Sequence, residues 1–430
     1  MTLTDAPIAE QDARRLAKVG LAAAMVSRLM GRLVGIVLVI VLARQTGAET
    51  VAVYGYLLGT ATLVTMLTDL GVASVAGREV AAGRMPADGA LRAALGPQVV
   101  SVVAAAAATV LLTVVWGPAE VPGSALALTV LFVLAGGLVN LWAEVLRATG
   151  RVLLEGALQF GSAVALVAVG SVVIIAGGSA TDLLLVVLLK EVAVLLVGVA
   201  LLRPRRREGV LARELLTQGL WMAVASTAVI LLWRQGTLVV GAAGSVGALA
   251  TFVVATRFFD AGVTVAHTAG FGLVPGLSAL AADPVAFRRA ARHYLKLAAL
   301  AGLVIAVVGW LVAGPITTIP FGERWADAVP AVRVVALSAL PILVSYVAFT
   351  MFLARGQMRW LTGSAVGGTV AGIGATIALM AWRPDALSGV LGTTIGATVL
   401  VVLLLVGLRD LLRPGVPGAG EAAPAPSTNA

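Results

Sequence analysis

Long apolar runs recur along the whole chain, and they restrict what it can fold into. Stretches of 18 or more mostly apolar residues, separated by short polar segments, extend from near residue 20 to near residue 408. A helix needs about 20 residues to cross a hydrocarbon core about 30 Å thick. We therefore expect an all-α polytopic membrane protein of about 12 transmembrane helices. The predicted spans lie near residues 20–43, 51–77, 97–116, 124–146, 152–176, 182–202, 215–241, 248–280, 294–314, 329–353, 360–382 and 388–408.

The composition supports this class and excludes several others. Hydrophobic residues make up 60% of the chain and charged residues 12%, against about 45–50% and about 25% in soluble domains. The sequence has no Cys, only two His, no GxxxxGK[ST] loop and no HExxH motif. We therefore expect no enzymatic activity, no cofactor and no metal. Because the positive charge is dispersed between apolar runs, we also expect no nucleic-acid partner.

The placement of Lys and Arg predicts the orientation. With a cytoplasmic N-terminus, the twelve spans put 21 of the 30 cations in inner segments and only Arg44, Arg324 and Arg383 in outer loops. Cytoplasmic loops of membrane proteins carry such an excess of Lys and Arg. Both termini are therefore expected in the cytoplasm. Acidic residues precede the first span, and that span contains Arg, so we do not read it as a cleavable signal.

Two lobes of six helices each are expected. Because each lobe has an even number of spans, an internal repeat would be parallel, and residues 47–71 align weakly with residues 244–270. The expected parts are a cytoplasmic N-terminal tail (1–19), an N-lobe (20–202), a basic cytoplasmic linker (203–214), a C-lobe (215–408) and a disordered cytoplasmic tail (409–430).

Six cations fall at membrane depth, where an ionisable side chain is a functional candidate. They are Arg28, Arg32, Lys190, Arg234, Arg257 and Arg333. Arg28 and Arg32 are one helical turn apart and point to the same side of the first span. Arg234 lies a few residues before the outer end of the seventh span. Extension of these side chains toward the headgroups is the alternative to a functional role.

The eighth span carries a polar stripe on one helical face. Arg257, Asp260, Thr264 and His267 follow one another at steps of three, four and three residues, and we expect this face to line a wet cavity. The stripe offers a cation for an anionic ligand and a titratable His. Two alternatives stay open: the Arg–Asp pair neutralises itself so that the helix can insert, and the His is a packing residue. Asp69 in the second span is a further candidate, as a partner of a first-span Arg.

A series of short motifs follows in order along residues 20–360. They are Arg28-Leu-Met-Gly-Arg32, Leu42-Ala-Arg-Gln-Thr-Gly47, Tyr54-Gly55, Asp69-Leu-Gly71, Arg78-Glu79, Gly247, Ala255-Thr-Arg257, Pro275 and Phe321-Gly-Glu-Arg-Trp325. In order and spacing they resemble the bacterial polysaccharide flippases of the Wzx type. These flippases belong to the multidrug/oligosaccharidyl-lipid/polysaccharide exporter superfamily, so the resemblance implies a two-lobed, MATE-like fold.

The resemblance implies a transporter of the bacterial cytoplasmic membrane that moves an undecaprenyl-diphosphate-linked oligosaccharide to the outer leaflet, for surface polysaccharide or lipopolysaccharide biosynthesis. The lobes would give alternating access to a central cavity, where Arg28, Arg32 and Arg257 match cations expected to bind the diphosphate. Implied partners are the lipid-linked oligosaccharide and membrane lipids, with a polysaccharide polymerase and glycosyltransferases as candidate protein partners. Many relatives have an Asp soon after the Arg of the seventh span; here Gln235 follows Arg234, so an ion-coupling role of that Asp is not implied.

Independently of the family resemblance, the residues themselves favour an anionic cargo. The planar guanidinium group of Arg matches phosphate oxygens. The expected cavity has four candidate Arg residues and only two Asp, so it should carry net positive charge; these residues are Arg28, Arg32, Arg234, Arg257, Asp69 and Asp260. A multidrug or cation antiporter would need an acidic, aromatic-lined cavity, whereas aromatics are 5% of this chain. A lipid II flippase is a close alternative, although relatives of that kind resemble fourteen spans. A membrane-embedded glycosyltransferase would need a catalytic cluster on a large outer loop, and the longest one, near 315–328, is short.

Overall fold

Helices account for all regular secondary structure in the part of the chain that is described. The computed structural model describes residues 30–31, 34–68, 72–81, 83–118, 121–202, 213–280 and 283–411. The helices are α1 (Val34–Gln45), α2 (Ala48–Leu67), α3 (Val72–Ala81), α4 (Ala87–Trp116), α5 (Gly123–Ala148), α6 (Val152–Ile175), α7 (Ala180–Leu201), α8 (Arg213–Ala243), α9 (Val246–Gly272), α10 (Val274–Ala279), α11 (Pro284–Phe321), α12 (Val329–Ala354), α13 (Met358–Trp382) and α14 (Ala386–Leu411). A 3₁₀ helix, Glu323–Ala328, precedes α12.

The protein is a multi-pass membrane protein. Among the described residues, eleven helices are long and apolar enough to cross a bilayer, and α1 is a shorter apolar helix. Much of the predicted first span, 20–43, lies outside the described residues, so the count of twelve stays a prediction. Large apolar side chains cover the outer surface; Val114 is 73% exposed and Leu311 72% exposed. Such a surface matches lipid rather than water.

Two of the predicted spans are interrupted in the structure. The predicted span 51–77 corresponds to α2 followed by the short α3, and the predicted span 248–280 corresponds to α9 followed by α10. Leu273 forms the turn between α9 and α10, and Pro275 follows in the first turn of α10, where its missing N–H has no helical partner to lose. Apolar residues continue through the break at Leu273, which is why the run 248–280 predicted one helix; residues 69–71, between α2 and α3, lie outside the described residues.

Other helices continue beyond the apolar runs. α4 begins ten residues before the predicted span at 97, and α11 begins ten residues before the predicted span at 294. Asp283 caps α11 by accepting hydrogen bonds from the backbone N–H groups of Ala286 (3.0 Å) and Val285 (2.9 Å). These hydrogen bonds hold the pKa of the Asp283 carboxyl below its usual value. Polar turns can thus be helical without being part of a membrane span.

The chain divides into two compact units. Unit 1 contains residues 1–115 and 119–220, and unit 2 contains residues 116–118 and 221–430. In unit 1, α5 packs against α2, α3, α6 and α7. In unit 2, α12 packs against α9, α10, α11, α13 and α14. Apart from α11, each of these helices comes seven elements after a helix that packs against α5; the parallel repeat itself stays a prediction.

Unit 1 has an apolar core and a buried amide between its helices. Ala76 of α3, Leu91 of α4 and Leu141 of α5 are fully buried in one cluster. The buried Gln98 of α4 donates from Nε2 to the carbonyl oxygen of Gly137 on α5 at 2.9 Å. These contacts join α3, α4 and α5.

Glycines allow the helices of unit 2 to approach closely. A Cβ added at Gly392 of α14 would lie 2.0 Å from Thr376 Oγ1 and 2.6 Å from Thr376 Cα on α13. A Cβ added at Gly302 of α11 would lie 2.7 Å from Leu340 Cα on α12. Inside a bilayer the hydrophobic effect does not drive helices together, so such close packing supplies much of the association energy.

Candidate functional site

Arg234, Arg257 and Asp260 form an ionic cluster between α8 and α9, called here the Arg–Asp–Arg cluster. Arg234 Nη1 lies 3.0 Å from Asp260 Oδ1 and 3.1 Å from Oδ2. Arg257 Nη1 lies 3.7 Å from Asp260 Oδ2. All three side chains are 15–20% exposed. One carboxylate therefore faces two guanidinium groups, and the cluster carries a net charge of +1.

The neighbours of Arg234 on α8 hold it in place. Trp233 packs against Phe259 of α9, with the ring centroids 5.5 Å apart. Gln235, which is 1% exposed, donates from Nε2 to Thr376 Oγ1 on α13 (2.9 Å) and to Thr393 Oγ1 on α14 (3.0 Å). Because successive helical residues point about 100° apart, these contacts fix α8 from different sides.

Arg257 has hydrogen-bonding capacity that Asp260 does not use. Its Nε atom is buried and has no hydrogen-bond partner within the described part of the chain. Its ion pair with Asp260, at 3.7 Å, is longer than a hydrogen bond. A guanidinium group has five N–H donors in a planar fork that matches phosphate and carboxylate oxygens. The Arg–Asp–Arg cluster can therefore donate to an anionic group.

The other predicted site residues lie in different surroundings. The Thr264 hydroxyl donates to the backbone carbonyl of Asp260 at 2.8 Å and not to its carboxylate. His267 is exposed two turns further along α9, with its ring edge-on to Tyr346 of α12 and the ring centroids 5.6 Å apart. Both are on α9; the contact described for Thr264 is to the α9 backbone, and the ring contact described for His267 is to α12.

Three predicted site residues, Arg28, Arg32 and Asp69, lie outside the described residues. Among the described residues, no group of three or more His, Asp or Glu could hold a metal ion. The remaining predicted membrane-depth cations have other neighbours. Lys190 forms an ion pair with the adjacent Glu191, and Arg333 lies over the Trp310 ring, 5.6 Å from its centroid.

Sequence reasoning did not anticipate the contact of Arg234 with Asp260 or the role of Gln235. Arg234 and Asp260 are on different helices and 26 residues apart, so no helical spacing relates them. One signal was available: Arg234 lies ten residues before Gly244, and Arg257 thirteen residues after it. Both cations are thus at similar depth on either side of one connection. For the uncharged Gln235, no comparable signal exists in the sequence.

The comparison with known families identifies the chain. A family model described as "Polysaccharide biosynthesis protein" matches residues 41–330, more than half of the sequence. The chain belongs to this family. No match was found among curated protein sequences.

Solved structures of the same fold include transporters and a flippase. An inward-facing multidrug resistance MATE family transporter of the MOP superfamily aligns with a TM-score of 0.69 and 17% identity, over 93% of this chain and 100% of that chain. The lipid II flippase MurJ, in an inward closed conformation, aligns with a TM-score of 0.72 and 12% identity, over 90% of this chain and 87% of that chain.

The family match confirms that the chain is a polysaccharide biosynthesis protein, as the motifs predicted. At such low identity the structural matches show the fold, which is MATE-like and all-helical. Together with the polysaccharide biosynthesis family, this fold supports a membrane transporter or flippase rather than an enzyme.

Proposed function

We propose that the protein flips an undecaprenyl-diphosphate-linked oligosaccharide across the bacterial cytoplasmic membrane for surface polysaccharide biosynthesis. The observation that carries this proposal is the Arg–Asp–Arg cluster, which leaves a net positive charge on membrane-spanning helices. A lipid diphosphate is multiply anionic, and guanidinium forks bind its oxygens with paired, charge-assisted hydrogen bonds. The polysaccharide biosynthesis family supports the oligosaccharide as the group attached to the diphosphate.

Asp260 gives the site a means of binding without retaining its cargo. Before the headgroup arrives, the carboxylate offsets the cost of keeping two guanidinium groups at membrane depth. The headgroup then competes with Asp260 for the same N–H donors, so it binds less tightly than it would to two free Arg. Moderate affinity favours release on the opposite side, which a transporter requires.

The transport step is expected to follow alternating access between an N-lobe (20–202) and a C-lobe (215–408). Arg28 and Arg32 of the first span are expected to contribute further positive charge from the N-lobe. In this proposal, glycosyltransferases complete the lipid-linked oligosaccharide on the cytoplasmic side. A polysaccharide polymerase then uses it on the outer side.

Complementation of a flippase-null strain tests the proposal. Arg234→Ala and Arg257→Ala should each reduce surface polysaccharide, and the double variant should reduce it to the level of the null strain, because charge-assisted contacts to the diphosphate are lost. A loss of about 1.4 kcal/mol per contact corresponds to tenfold weaker headgroup binding. Surface polysaccharide is measured by immunoblot at matched membrane abundance of each variant.

Arg333→Ala is the matched control, because Arg333 is a cation on α12 that lies over Trp310 and outside the cluster. It should restore surface polysaccharide as the unmodified protein does. Full restoration by the Arg234→Ala, Arg257→Ala double variant would show that the assignment is wrong.

The alignment with the lipid II flippase MurJ supports a second candidate, flipping of lipid II. A lipid diphosphate would bind the same cluster, so the geometry does not separate the two cargoes. Rescue of a strain depleted of its lipid II flippase would favour this second candidate, whereas rescue of a polysaccharide flippase-null strain alone would favour the first.

A further inference from the structure

An open groove with a volume of about 640 Å³ lies in unit 2 between α11, α12 and α14. Its lining includes no residue of α8 or α9, so it is separate from the Arg–Asp–Arg cluster. Most of the lining is aliphatic, including Leu295, Ala299, Leu340, Val344, Val401 and Leu405. The volume is within the range of sites that bind small ligands, about 300–1,000 Å³.

The packing of α11 against α12 explains where the groove begins. At Gly302 the two helices are so close that an added Cβ would lie 2.7 Å from Leu340 Cα. Toward the start of α11, the groove opens beside Ala299 and Leu295. α14 forms the remaining wall.

The two hydroxyl groups of the wall on α14 are already hydrogen-bonded. Thr394 Oγ1 donates to the Val390 carbonyl at 2.9 Å, and Thr398 Oγ1 donates to the Thr394 carbonyl at 2.8 Å. Threonine hydroxyls satisfied by their own helix need no partner from a ligand. The groove is therefore suited to an apolar occupant along this wall.

One end of the groove carries an exposed cation, Lys296. It lies four residues after Arg292, at the end of the basic first turns of α11. The opposite wall ends at Leu405, four residues before Arg409 of α14. In the predicted orientation, both positions are at the cytoplasmic edge of the membrane. No ion pair of Lys296 occurs in the part of the chain that the structure describes.

The length of the groove matches one leaflet. Its wall on α14 runs from Thr394 to Leu405, and eleven helical steps of 1.5 Å give about 16 Å. This is about half of a 30 Å hydrocarbon core. A single acyl chain of a phospholipid spans one leaflet, whereas an undecaprenyl chain is much longer than this wall.

We propose that the groove binds an anionic phospholipid of the cytoplasmic leaflet, with one acyl chain along α14 and the phosphate at Lys296. Basic residues between transmembrane helices on the cytoplasmic side are suited to anionic headgroups, and a Lys side chain can extend along apolar surface to reach the phosphate. The bound lipid would fill the space between three helices of unit 2. Thermal stability of the protein should then depend on anionic lipid.

Lipid titration of the purified full-length chain tests this proposal. Binding of phosphatidylglycerol and of phosphatidylcholine is measured by native mass spectrometry, and thermal unfolding is followed with each lipid. Phosphatidylglycerol should bind more tightly and raise the unfolding temperature. Lys296→Gln should weaken its binding about fivefold, the factor expected when one Lys near an anionic headgroup is removed.

Matched variants separate the groove from the rest of the surface. Ala299→Trp places a ring in the groove and should abolish the preference for phosphatidylglycerol, whereas Val304→Trp, on the outward face of α11, should keep it. Arg292→Gln removes a neighbouring cation outside the lining and should also keep it. Thr398→Phe provides a second blocked groove if Ala299→Trp does not fold.

Several outcomes would overturn the proposal. Equal binding of the two phospholipids would show that no anionic headgroup is recognised. Equal losses in Arg292→Gln and Lys296→Gln would indicate general attraction to a basic surface. If undecaprenyl phosphate but not phosphatidylglycerol were lost in Ala299→Trp, the groove would hold a polyprenyl tail. A dimer that dissociates in Ala299→Trp would make it an interface between two copies of the chain.

Discussion

Asp260 determines how much positive charge the Arg–Asp–Arg cluster offers. The spacing of Arg257 and Asp260 on α9 was enough to predict that they lie on one helical face, because helical geometry relates residues three apart. The sequence alone suggested that this pair could be neutral. In the structure Arg234 reaches the same carboxylate from α8, so mutual neutralisation leaves one cation uncompensated. That contact depends on how two helices pack, which local spacing does not encode.

Replacing Asp260 with Asn should destabilise the protein and tighten anion binding. Two guanidinium groups would lose their counterion at membrane depth, at a cost of about 1–3 kcal/mol for charges that are only partly exposed. The same change raises the net charge of the cluster from +1 to +2. We expect a lower unfolding temperature and tighter binding of pyrophosphate, measured by thermal unfolding and by calorimetry on the purified protein.

A double variant provides the control for this prediction. Asp260→Asn with Arg234→Gln returns the net charge to +1 and should recover part of the lost stability, because coupled neighbours give non-additive effects. Strict additivity of the two changes would contradict a shared carboxylate.

Helix ends and helix contacts were predictable to different degrees. The apolar core of each described span was evident from the sequence, since about 20 apolar residues are needed to cross a bilayer. The helical turns that extend α4 and α11 beyond the apolar runs were missed because they are polar. The break before α10 was missed because apolar residues continue through it, and one span was predicted over 51–77 although Thr68 and Asp69 interrupt its apolar residues. Close contacts such as Gly392 against Thr376 depend on tertiary packing.

Gly392→Ala should be among the most damaging single-methyl changes in unit 2. The new Cβ would lie 2.0 Å from Thr376 Oγ1, which accepts a hydrogen bond from Gln235, and 2.6 Å from Thr376 backbone atoms. Backbone cannot yield as a flexible side chain can, so we expect a loss of about 1–3 kcal/mol. Thermal unfolding in detergent measures the loss.

Gly374→Ala on α13 is the matched control for this change. Nothing lies within 4 Å of its added Cβ, and Ala is a better helix former than Gly by up to about 1 kcal/mol. It should leave the unfolding temperature unchanged or raise it. Similar losses in both variants would contradict the close packing of α13 and α14.

Much of the order of helix packing is shared by the two units of the molecule. Because an even number of spans was predicted in each half, an internal repeat would be parallel, and the charge distribution supported that number. The sequence did not predict that α5 and α12 would each pack against several other helices of their unit, because apolar helices resemble one another in sequence. The all-helical membrane fold thus followed from composition, whereas the pairing of helices required the structure, and the orientation stays a prediction.

The absence of Cys from the chain makes the predicted orientation directly testable. Pro384→Cys lies in the connection between α13 and α14, on the predicted outer side, and Gln357→Cys precedes α13 on the predicted inner side. A maleimide that does not cross membranes should label Pro384→Cys in intact cells and Gln357→Cys only after the cells are opened. The reverse pattern would show that both termini lie outside.

Arg234 is synthesised before the carboxylate that neutralises it. An Arg near the centre of an isolated transmembrane helix costs about 2.5 kcal/mol or more on insertion, and α8 leaves the ribosome before α9. Only Gly244 and Ser245 connect the two helices, and Asp260 follows Arg234 by 26 residues. Entry of α8 and α9 into the bilayer as one hairpin lets the Arg234–Asp260 pair form during insertion, so the carboxylate that moderates charge in the finished protein also favours biogenesis of this part of the chain.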